Sequence, residues 1–393
     1  MINAPILSDF VRLVYRAVRP GIKSQVFRFV LFIVSIMLVV LAGVSRAEAA
    51  PYLSCRYYCL IDAGTGQVIL SRSADESRQV ASTTKMMTAI LADEYADPSE
   101  IAVVSENAAR TPKYVIGLRR GQEITVEELL KAALIRSAND AAVVLGEHVT
   151  GDIDLFAHLM SVKAVVIGAH HTHFANPSGL PDSDNFSSAY DLTRIGRYLL
   201  EKPDLAALVS TRQTGFRHPG YRNEMIITNT NGLLDSYPGA NGIKTGTTND
   251  AGKCLVASAS RNGRHLIAVA LKSADRTGDC ARLLDYGFND CHLVRVVDRG
   301  NVFKEIQIVG GTQPYTSIVP ARNIALLQGE NSKLNVEKVV RMDYRLEPPL
   351  KKGQHVGEVR VFADGNLVSV SPLIVKEDIK RQSRLISRIK SIF

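Results

Sequence analysis

Four runs rich in β-branched and other apolar residues predict strands near both ends of the first 290 residues. Each pair of runs is joined by a turn signal, Asp-Ala-Gly-Thr-Gly in the first pair and Arg-Asn-Gly-Arg in the second, so each pair predicts a hairpin. Between the two pairs, apolar positions recur with a helical period. We therefore expect one antiparallel sheet, closed by the first and last segments and flanked by helices. The predicted strands cover 57–61, 67–70, 253–260 and 265–272.

Polar turns interrupt the helical part of the pattern. Residues 126–149 predict two helical pieces broken around Ser137-Ala-Asn139, because Ser and Asn compete for backbone hydrogen bonds and favour turns. Residues 151–210 are mostly helical around a polar loop at 176–188, and another helix begins at Ser82. The pattern thus places Ser82 at a helix start and Ser137 at a helical break.

The pattern changes near residue 293 to short β runs separated by Gly-Gly, Pro-Pro and Asp-Gly pairs. We expect residues 50–292 to form an α/β domain and residues 293–375 a small all-β domain. The length of 393 residues and the 46% hydrophobic content allow cores in both. The predicted fold class is α/β, with an antiparallel sheet flanked by helices and a C-terminal all-β domain.

Charge is concentrated at the two ends of the chain. The formal net charge is +8, and residues 1–49 and 376–393 each contribute six basic and two acidic residues, so the body between them is neutral. A neutral body offers no basic groove for phosphates, and we therefore expect no nucleic-acid partner. Both basic ends lie beside apolar residues, which points to membranes.

The first end predicts an export signal. An uncharged apolar run at 29–44 follows a basic leader and precedes Ala47-Glu-Ala49, the small-x-small pattern of a signal-peptidase site. We expect cleavage after Ala49 and a mature protein at the periplasmic face of the inner membrane. The alternative is an uncleaved anchor, although the run is short for a span of about 20 residues.

The last end predicts a basic amphipathic helix lying in a membrane surface, over residues 376–393. A solvated terminal helix or a frayed end is the alternative. The apolar side of the helix would carry Ile379, Ile386, Ile389 and Phe393, with Arg381, Arg384 and Arg388 on other sides.

Neither the cysteines nor the histidines indicate a metal site. The five cysteines include no C-x-x-C pair, and a bond between Cys280 and Cys291 stays open. Adjacent histidines in His170-His-Thr-His173 would point to opposite faces of a strand, with no carboxylate partner near. We expect no metal and no cofactor.

Three short motifs carry candidate chemistry. In Ser82-Thr-Thr-Lys85 the hydroxyl and the amine share one helical face, and burial would lower the pKa of Lys85 enough to make it a base. Ser137-Ala-Asn139 and Lys244-Thr-Gly246 follow in order, the last just before the second predicted hairpin. Each motif is weak alone, and the ordered set is specific.

With these motifs the chain resembles the penicillin-recognising serine enzymes. The stretches ASTTKMMTAI, SANDAA, THFANPSGLP, SAYDL, GANGIKTGTT and AGKCLVASA make it similar to a low-molecular-mass penicillin-binding D-alanyl-D-alanine carboxypeptidase. The resemblance covers about residues 52–290, and the β domain and basic tail match the family's organisation. It implies a β-lactamase/transpeptidase-like fold, a peptidoglycan stem peptide as substrate and β-lactams as covalent inhibitors.

The resemblance also implies roles for individual residues. Ser82 would attack the carbonyl of the penultimate D-alanine, with Lys85 as the base. Ser137 and Lys244 would relay a proton to the leaving amine. Substrate would be held by Asn139, by a carboxylate-binding pair of Thr245 and Arg276, and by the backbone N–H groups of Ser82 and Thr247 as an oxyanion hole.

Other functions fit parts of the same pattern. A β-lactamase shares the acylation residues but needs a carboxylate to activate water, and between residues 140 and 200 the one glutamate is Glu147. A D,D-endopeptidase acting on cross-links is a second enzymatic alternative. A binding-only envelope protein on the same fold is the alternative from another class.

Overall fold

The structure is a computed structural model that describes residues 51–329 and 334–382. The predicted signal peptide at residues 1–49 lies outside these ranges. Within them, no helix is long and apolar enough to cross a membrane.

A five-stranded antiparallel sheet forms the centre of the first domain. Its strand order is β2-β1-β9-β8-β7, so the first hairpin pairs directly with the last strand, as the sequence predicts. Both predicted hairpins are present, and Cys59 of β1 faces Val269 of β9 across the closing ladder. The strands are β1 (Tyr57–Asp62), β2 (Val68–Arg72), β7 (Ala240–Thr248), β8 (Gly252–Arg261) and β9 (Arg264–Ser273).

Helices cover this sheet and supply most of the core. Helix α1 follows a 3₁₀ turn at Ala81–Thr84 and is buried along its first eight residues, Lys85 among them. The expected break falls between α3 and α4, where a π-helical turn at Ala132–Arg136 leads into Ser137. The helices are α1 (Lys85–Tyr95), α2 (Glu106–Ala109), α3 (Val126–Lys131), α4 (Asn139–Thr150), α5 (Ile153–Val166), α6 (Ala189–Leu200), α7 (Pro203–Ser210), α8 (Leu233–Ser236) and α9 (Arg276–Asp285).

Two small two-stranded sheets were not predicted. Strands β3 (Ile101–Val103) and β4 (Glu123–Thr125) pair with each other, as do β5 (Gln213–Phe216) and β6 (Met225–Thr228). Their strands are three or four residues long, too short to show a period of two above the surrounding polar sequence. Strand β6 contacts the π-helical turn that leads into Ser137.

The C-terminal part is all-β, as its sequence predicts. A five-stranded sheet has the order β11-β12-β16-β15-β14, and β10 pairs with β13. Gln67 in the β1–β2 hairpin joins the two domains, because its amide donates to the Leu327 carbonyl at 2.6 Å and accepts from the Leu327 N–H at 2.9 Å. The strands are β10 (Cys291–Val297), β11 (Lys304–Gln307), β12 (Tyr315–Pro320), β13 (Ile324–Gly329), β14 (Val336–Met342), β15 (His355–Ala363) and β16 (Asn366–Val375).

The prediction of a terminal helix over 376–393 is wrong for residues 376–382. Ile379, expected on the apolar face of a helix, is 1% exposed in the core of the β domain, and its backbone pairs with Leu350. Arg381 pairs with Gly311 in the same way. A residue that completes a core and a β-bridge is held in an extended segment, so residues 376–382 belong to the β domain. Residues 383–393 lie outside the described ranges.

The cysteines are all free and buried. The disulfide bond between Cys280 and Cys291, which the sequence left as a possibility, is therefore not formed. Cys254 has the pKa of its thiol raised by burial, which keeps the sulfur protonated and unreactive.

Candidate active site

Ser82 lies in a tight turn directly before the N-terminus of α1. The 3₁₀ turn begins after Val80, whose carbonyl accepts a hydrogen bond from the Thr83 hydroxyl at 2.8 Å. Ala81 has a φ of 51°, a left-handed conformation that is uncommon for residues other than glycine. Residues in such conformations persist where the surrounding structure imposes them, which is typical of functional turns. Ser82 is half-buried and Lys85 is completely buried.

The amine of Lys85 has three polar neighbours. Its Nζ lies 2.9 Å from Ser82 Oγ, 2.6 Å from Asn139 Oδ1 and 2.5 Å from the carbonyl oxygen of Ser178. The last two are carbonyl oxygens, which only accept hydrogen bonds. A neutral amine has two hydrogens and one lone pair, so it can donate to both carbonyls and direct its lone pair at the Ser82 hydroxyl.

The environment favours this neutral form. Burial, and then the nearby charge of Lys244, lowers the pKa of Lys85 well below its usual value, while Asp140 opposes them. No carboxylate is bonded to Ser82 or Lys85 in the described part of the chain. Asp140 approaches Lys85 electrostatically, but its oxygens accept the N–H groups of Ile116, Gly117, Leu118 and Ala141.

Ser137 and Lys244 form a second hydroxyl–amine pair. Ser137 has a φ of 68° at the break before α4, and its Oγ accepts a hydrogen bond from Lys244 Nζ at 2.8 Å. Lys244 is 1% exposed on β7. Burial and the neighbouring Arg276 lower its pKa to about 7. This amine therefore changes its charge near neutral pH.

Asn139 joins Lys85 to the loop that follows Pro112. Its Oδ1 accepts from Lys85, and its Nδ2 donates to the carbonyl of Lys113 at 2.7 Å. The Asn139 backbone N–H donates to the Tyr114 carbonyl. The loop at 113–118 is thus fixed to the start of α4 by Asn139 at one end and by Asp140 at the other.

Two glycines allow the backbone to approach Ser82. A Cβ on Gly246 would lie 2.8 Å from the Val80 carbonyl oxygen and 3.0 Å from the Ser82 nitrogen. A Cβ on Gly179 would lie 2.1 Å from the Ala81 carbonyl oxygen, and Gly179 also has a φ of 76°. Only glycine fits at these points, so β7 and the loop at 176–188 close directly on the turn that carries Ser82.

Arg276 bonds to a different threonine from the one expected. Its guanidinium donates to Thr247 Oγ1 at 2.8 Å and to the Gly246 carbonyl at 2.9 Å. Thr245 Oγ1 instead lies 2.6 Å from Thr230 Oγ1. Thr245 and Thr247 flank Gly246 near the end of β7, and Arg276 reaches this part of the strand, but Thr245 and Arg276 share no hydrogen bond.

Sequence reasoning missed three contributors to this arrangement. The Ser178 carbonyl and Gly179 lie in the stretch THFANPSGLP, which carried the resemblance without a stated role, and Thr230 lies outside any motif. A backbone carbonyl that accepts a hydrogen bond, and a glycine that lets two backbone segments come close, produce no motif or spacing in the sequence. Among the described residues, no group of three or more His, Cys, Asp or Glu is arranged to hold a metal ion.

Comparison with known proteins agrees with the geometry. The peptidase S11 family model, described as D-alanyl-D-alanine carboxypeptidase, matches residues 44–275, more than half of the chain. The chain belongs to this family. A second model, the C-terminal domain of penicillin-binding protein 5, matches residues 292–381, and so identifies the β domain.

Individual members are similar over most of their length. The chain is 31% identical over 331 residues to D-alanyl-D-alanine carboxypeptidase DacF of Bacillus subtilis, covering 82% of this chain and 85% of that one. It is 29% identical over 365 residues to DacA of Escherichia coli, covering 87% and 89%. The structure of penicillin-binding protein 5 from Haemophilus influenzae matches with a TM-score of 0.68 at 26% identity, covering 85% of this chain and all of that one. The family, the fold class and the enzyme class expected from the sequence are thus confirmed.

Proposed function

We propose that the protein is a serine D,D-carboxypeptidase that removes the terminal D-alanine from peptidoglycan stem pentapeptides through an acyl-enzyme on Ser82. The observation that carries the proposal is the position of Lys85 Nζ, 2.9 Å from Ser82 Oγ with two carbonyl oxygens as its other neighbours. Family membership supplies the reaction class.

In acylation, neutral Lys85 takes the proton of Ser82 as Oγ attacks the carbonyl carbon of the penultimate D-alanine. The new C–O bond forms and the amide C–N bond breaks. The leaving amine receives a proton through the Ser137 hydroxyl from Lys244, whose pKa of about 7 suits proton transfer near neutral pH. Lys85 then releases the proton it took from Ser82 to solvent, and Lys244 regains one, so that Lys85 is neutral again. In deacylation Lys85 takes a proton from water as the water oxygen attacks the ester carbonyl, the ester C–O bond breaks, and Ser82 Oγ receives that proton.

Substrate binding follows from the polar groups around this centre. We assign Asn139 to the peptide amide and the backbone N–H groups of Ser82 and Thr247 to the oxyanion. Thr245, Thr247 and Arg276 would bind the terminal carboxylate, since the Arg276 guanidinium reaches both Thr247 and the backbone beside Thr245. The hydroxyl of Thr247 is therefore added to the expected Thr245–Arg276 pair.

The environment of the acyl-enzyme argues against β-lactamase activity. Glu147, the glutamate considered for such a role, accepts a hydrogen bond from Asn107 at 3.0 Å rather than facing Ser82. The oxygens of Asp140 are filled by backbone N–H groups. Neither carboxylate is hydrogen-bonded to Ser82 or Lys85, so neither is placed to activate water on a penicilloyl ester, which would persist and make β-lactams inhibitors.

The proposed location is the periplasmic face of the inner membrane. Residues 1–49 would direct export and be cleaved after Ala49, and residues 383–393 would bind the membrane surface through Leu385, Ile386, Ile389 and Phe393. Intact-mass measurement of the protein recovered from cell envelopes would find an N-terminus at Ala50. An N-terminus at Met1 would contradict cleavage.

Release of D-alanine tests the activity directly. We expect purified residues 50–393 to release one D-alanine per diacetyl-Lys-D-Ala-D-Ala, and Ser82→Ala to release none above background. A wild-type protein that binds the peptide without releasing D-alanine would instead support the binding-only alternative.

A further inference from the structure

The hydroxyl of Thr245, one of the groups assigned to the terminal carboxylate, has one hydrogen-bond partner among the described residues. Its Oγ1 lies 2.6 Å from Thr230 Oγ1. Thr245 is only 4% exposed on β7, and a β-branched side chain has few rotamers, so this contact fixes where its oxygen lies. The direction of this hydrogen bond therefore decides what Thr245 can do for a substrate.

The number of protons on the two hydroxyls sets that direction. Each hydroxyl has one proton to donate, whereas a carboxylate only accepts hydrogen bonds. If Thr245 donated to Thr230, it would have no proton for a carboxylate. If Thr230 donates instead, the proton of Thr245 is free, and a hydroxyl that accepts a hydrogen bond is itself a stronger donor. Within the described part of the chain, Thr230 Oγ1 has no second hydrogen bond, so its proton is available to Thr245.

The backbone around Thr230 is held rigidly. Residues 229–231 each donate a hydrogen bond to a different segment of the domain: the chain directly after α7, the π-helical turn and the start of β7. These bonds run from Asn229 Nδ2 to the Thr211 carbonyl at 2.9 Å, from the Thr230 N–H to the Ile135 carbonyl at 3.2 Å, and from Asn231 Nδ2 to the Gly242 carbonyl at 2.8 Å. None of them uses the Thr230 side chain. Its hydroxyl is therefore placed in advance beside Thr245, and its removal leaves the three bonds intact.

We propose that Thr230 is a positioning residue for the carboxylate end of the substrate: its hydroxyl donates to Thr245, so that Thr245 donates its own proton to the terminal carboxylate of the stem peptide. This inference rests on the proposed function. Arg276 would supply the positive charge, while Thr230 acts only through Thr245. The preference for a free terminal carboxylate thus depends on a residue outside the three motifs.

Two thioester substrates with the same acyl group, diacetyl-Lys-D-Ala, test this role. One has mercaptoacetate as its leaving group, with a carboxylate in the place of that of D-alanine, and the other has the neutral amide of the same group. A thiolate leaves without a proton, so the relay through Ser137 and Lys244 limits neither reaction. The readout is the ratio of kcat/KM for the carboxylate substrate to kcat/KM for the amide substrate.

Thr230→Val keeps the shape and the backbone N–H but removes the hydroxyl. We expect the ratio to fall about tenfold, the loss for one hydrogen bond to a charged group. Thr230→Ala should give a similar fall, and Thr230→Ser should keep the wild-type ratio because it keeps the hydroxyl. Thr228→Val is the matched control, since it removes a hydroxyl at an exposed position of β6 and should leave the ratio unchanged.

A double variant shows whether Thr230 acts through Thr245. We expect Thr245→Val to lower the ratio at least as much, and Thr230→Val to add nothing in that background. A further fall in the double variant would mean that Thr230 binds the carboxylate itself and would overturn the positioning role. An unchanged ratio in both Thr230→Val and Thr230→Ala would overturn it as well.

Failure of the proposed function would look different. A ratio that is unchanged in Thr245→Val would contradict the carboxylate contact assigned to Thr245, and this inference with it. A wild-type protein that neither thioester acylates at Ser82 would overturn the proposed function itself.

Discussion

Gly246 and Ser82 are in such close approach that a single methyl group would separate them. A Cβ on Gly246 would lie 3.0 Å from the Ser82 nitrogen and 2.8 Å from the Val80 carbonyl oxygen. The strand that carries Lys244 and Thr247 therefore rests directly on the turn that carries the nucleophile. The proposed oxyanion hole uses the N–H groups of Ser82 and Thr247, so its geometry depends on this contact.

Gly246→Ala should therefore impair acylation more than folding. The methyl group pushes β7 away from the Ser82 turn, and displacing one oxyanion donor costs on the order of 10²-fold in rate. Benzylpenicillin acylation rates measure the effect, and Gly232→Ala is the control, because a Cβ there meets nothing within 4 Å. An acylation rate in Gly246→Ala equal to that of the control would refute the role of this contact.

The pH dependence of acylation should report the neutral form of Lys85. Because burial and Lys244 lower its pKa, acylation rises with pH and levels off well below 10.5, the ordinary pKa of a lysine. Lys244→Gln removes the neighbouring positive charge, so the rising limb moves to higher pH, whatever the loss in absolute rate. Stopped-flow acylation between pH 5 and pH 10 measures the midpoint. A midpoint that stays in place would show that Lys244 does not tune Lys85.

Asp279 should stabilise the protein in a pH-dependent way. Burial alone would raise its pKa, but hydrogen bonds from Ser273, Ser54 and Arg282 lower it to about 2. A carboxyl whose pKa is lower in the folded state stabilises the fold above its unfolded pKa, about 3.9, and that stability is lost as pH falls toward 2.

Asp279→Asn should lower the free energy of unfolding at pH 7 by about 2 kcal/mol. Urea unfolding at pH 7 and at pH 3 measures the change, and the difference between variant and wild type should shrink at the lower pH. Asp275→Asn, at an exposed position of the same helix cap, is the control. Equal losses at both pH values would show that the charge of Asp279 contributes nothing.

Membrane association should require residues 383–393 and not the segment before them. Deleting 383–393 removes the proposed apolar and basic side chains but keeps Ile379 in the β-domain core, so the protein should stay folded and lose binding to anionic vesicles. A deletion that starts at residue 377 also removes Ile379 and should lower the thermal stability of the β domain. Vesicle sedimentation and thermal unfolding of both deletions measure the two effects. Unchanged vesicle binding without 383–393 would refute the anchor.

Sequence reasoning was most successful where the signal is periodic or chemical. The two hairpins, the closure of the sheet by β1 and β9, and the break before Asn139 all follow from patterns of apolar and turn-forming residues. The three motifs also predicted residues that meet: Lys85 is hydrogen-bonded to Ser82 and Asn139, and Lys244 is hydrogen-bonded to Ser137.

It failed where tertiary packing overrides a local pattern. Ile379 has the spacing of an amphipathic helix, but the β domain needs its side chain to fill a core and its backbone to pair with Leu350. Thr230 meets Thr245 through a turn and a short helix that no period reveals. The Ser178 carbonyl contributes a backbone oxygen, which is independent of residue type.

Intact-mass spectrometry after a pulse of benzylpenicillin shows directly whether Ser82 is acylated and how long the acyl group stays. Purified residues 50–393 and the Ser82→Ala variant are sampled over time under native conditions. We expect a single penicilloyl adduct on the wild type that persists for many turnovers of the peptide reaction, and no adduct on the variant. An adduct that disappears rapidly while the drug is consumed, or one that also forms on Ser82→Ala, would contradict it.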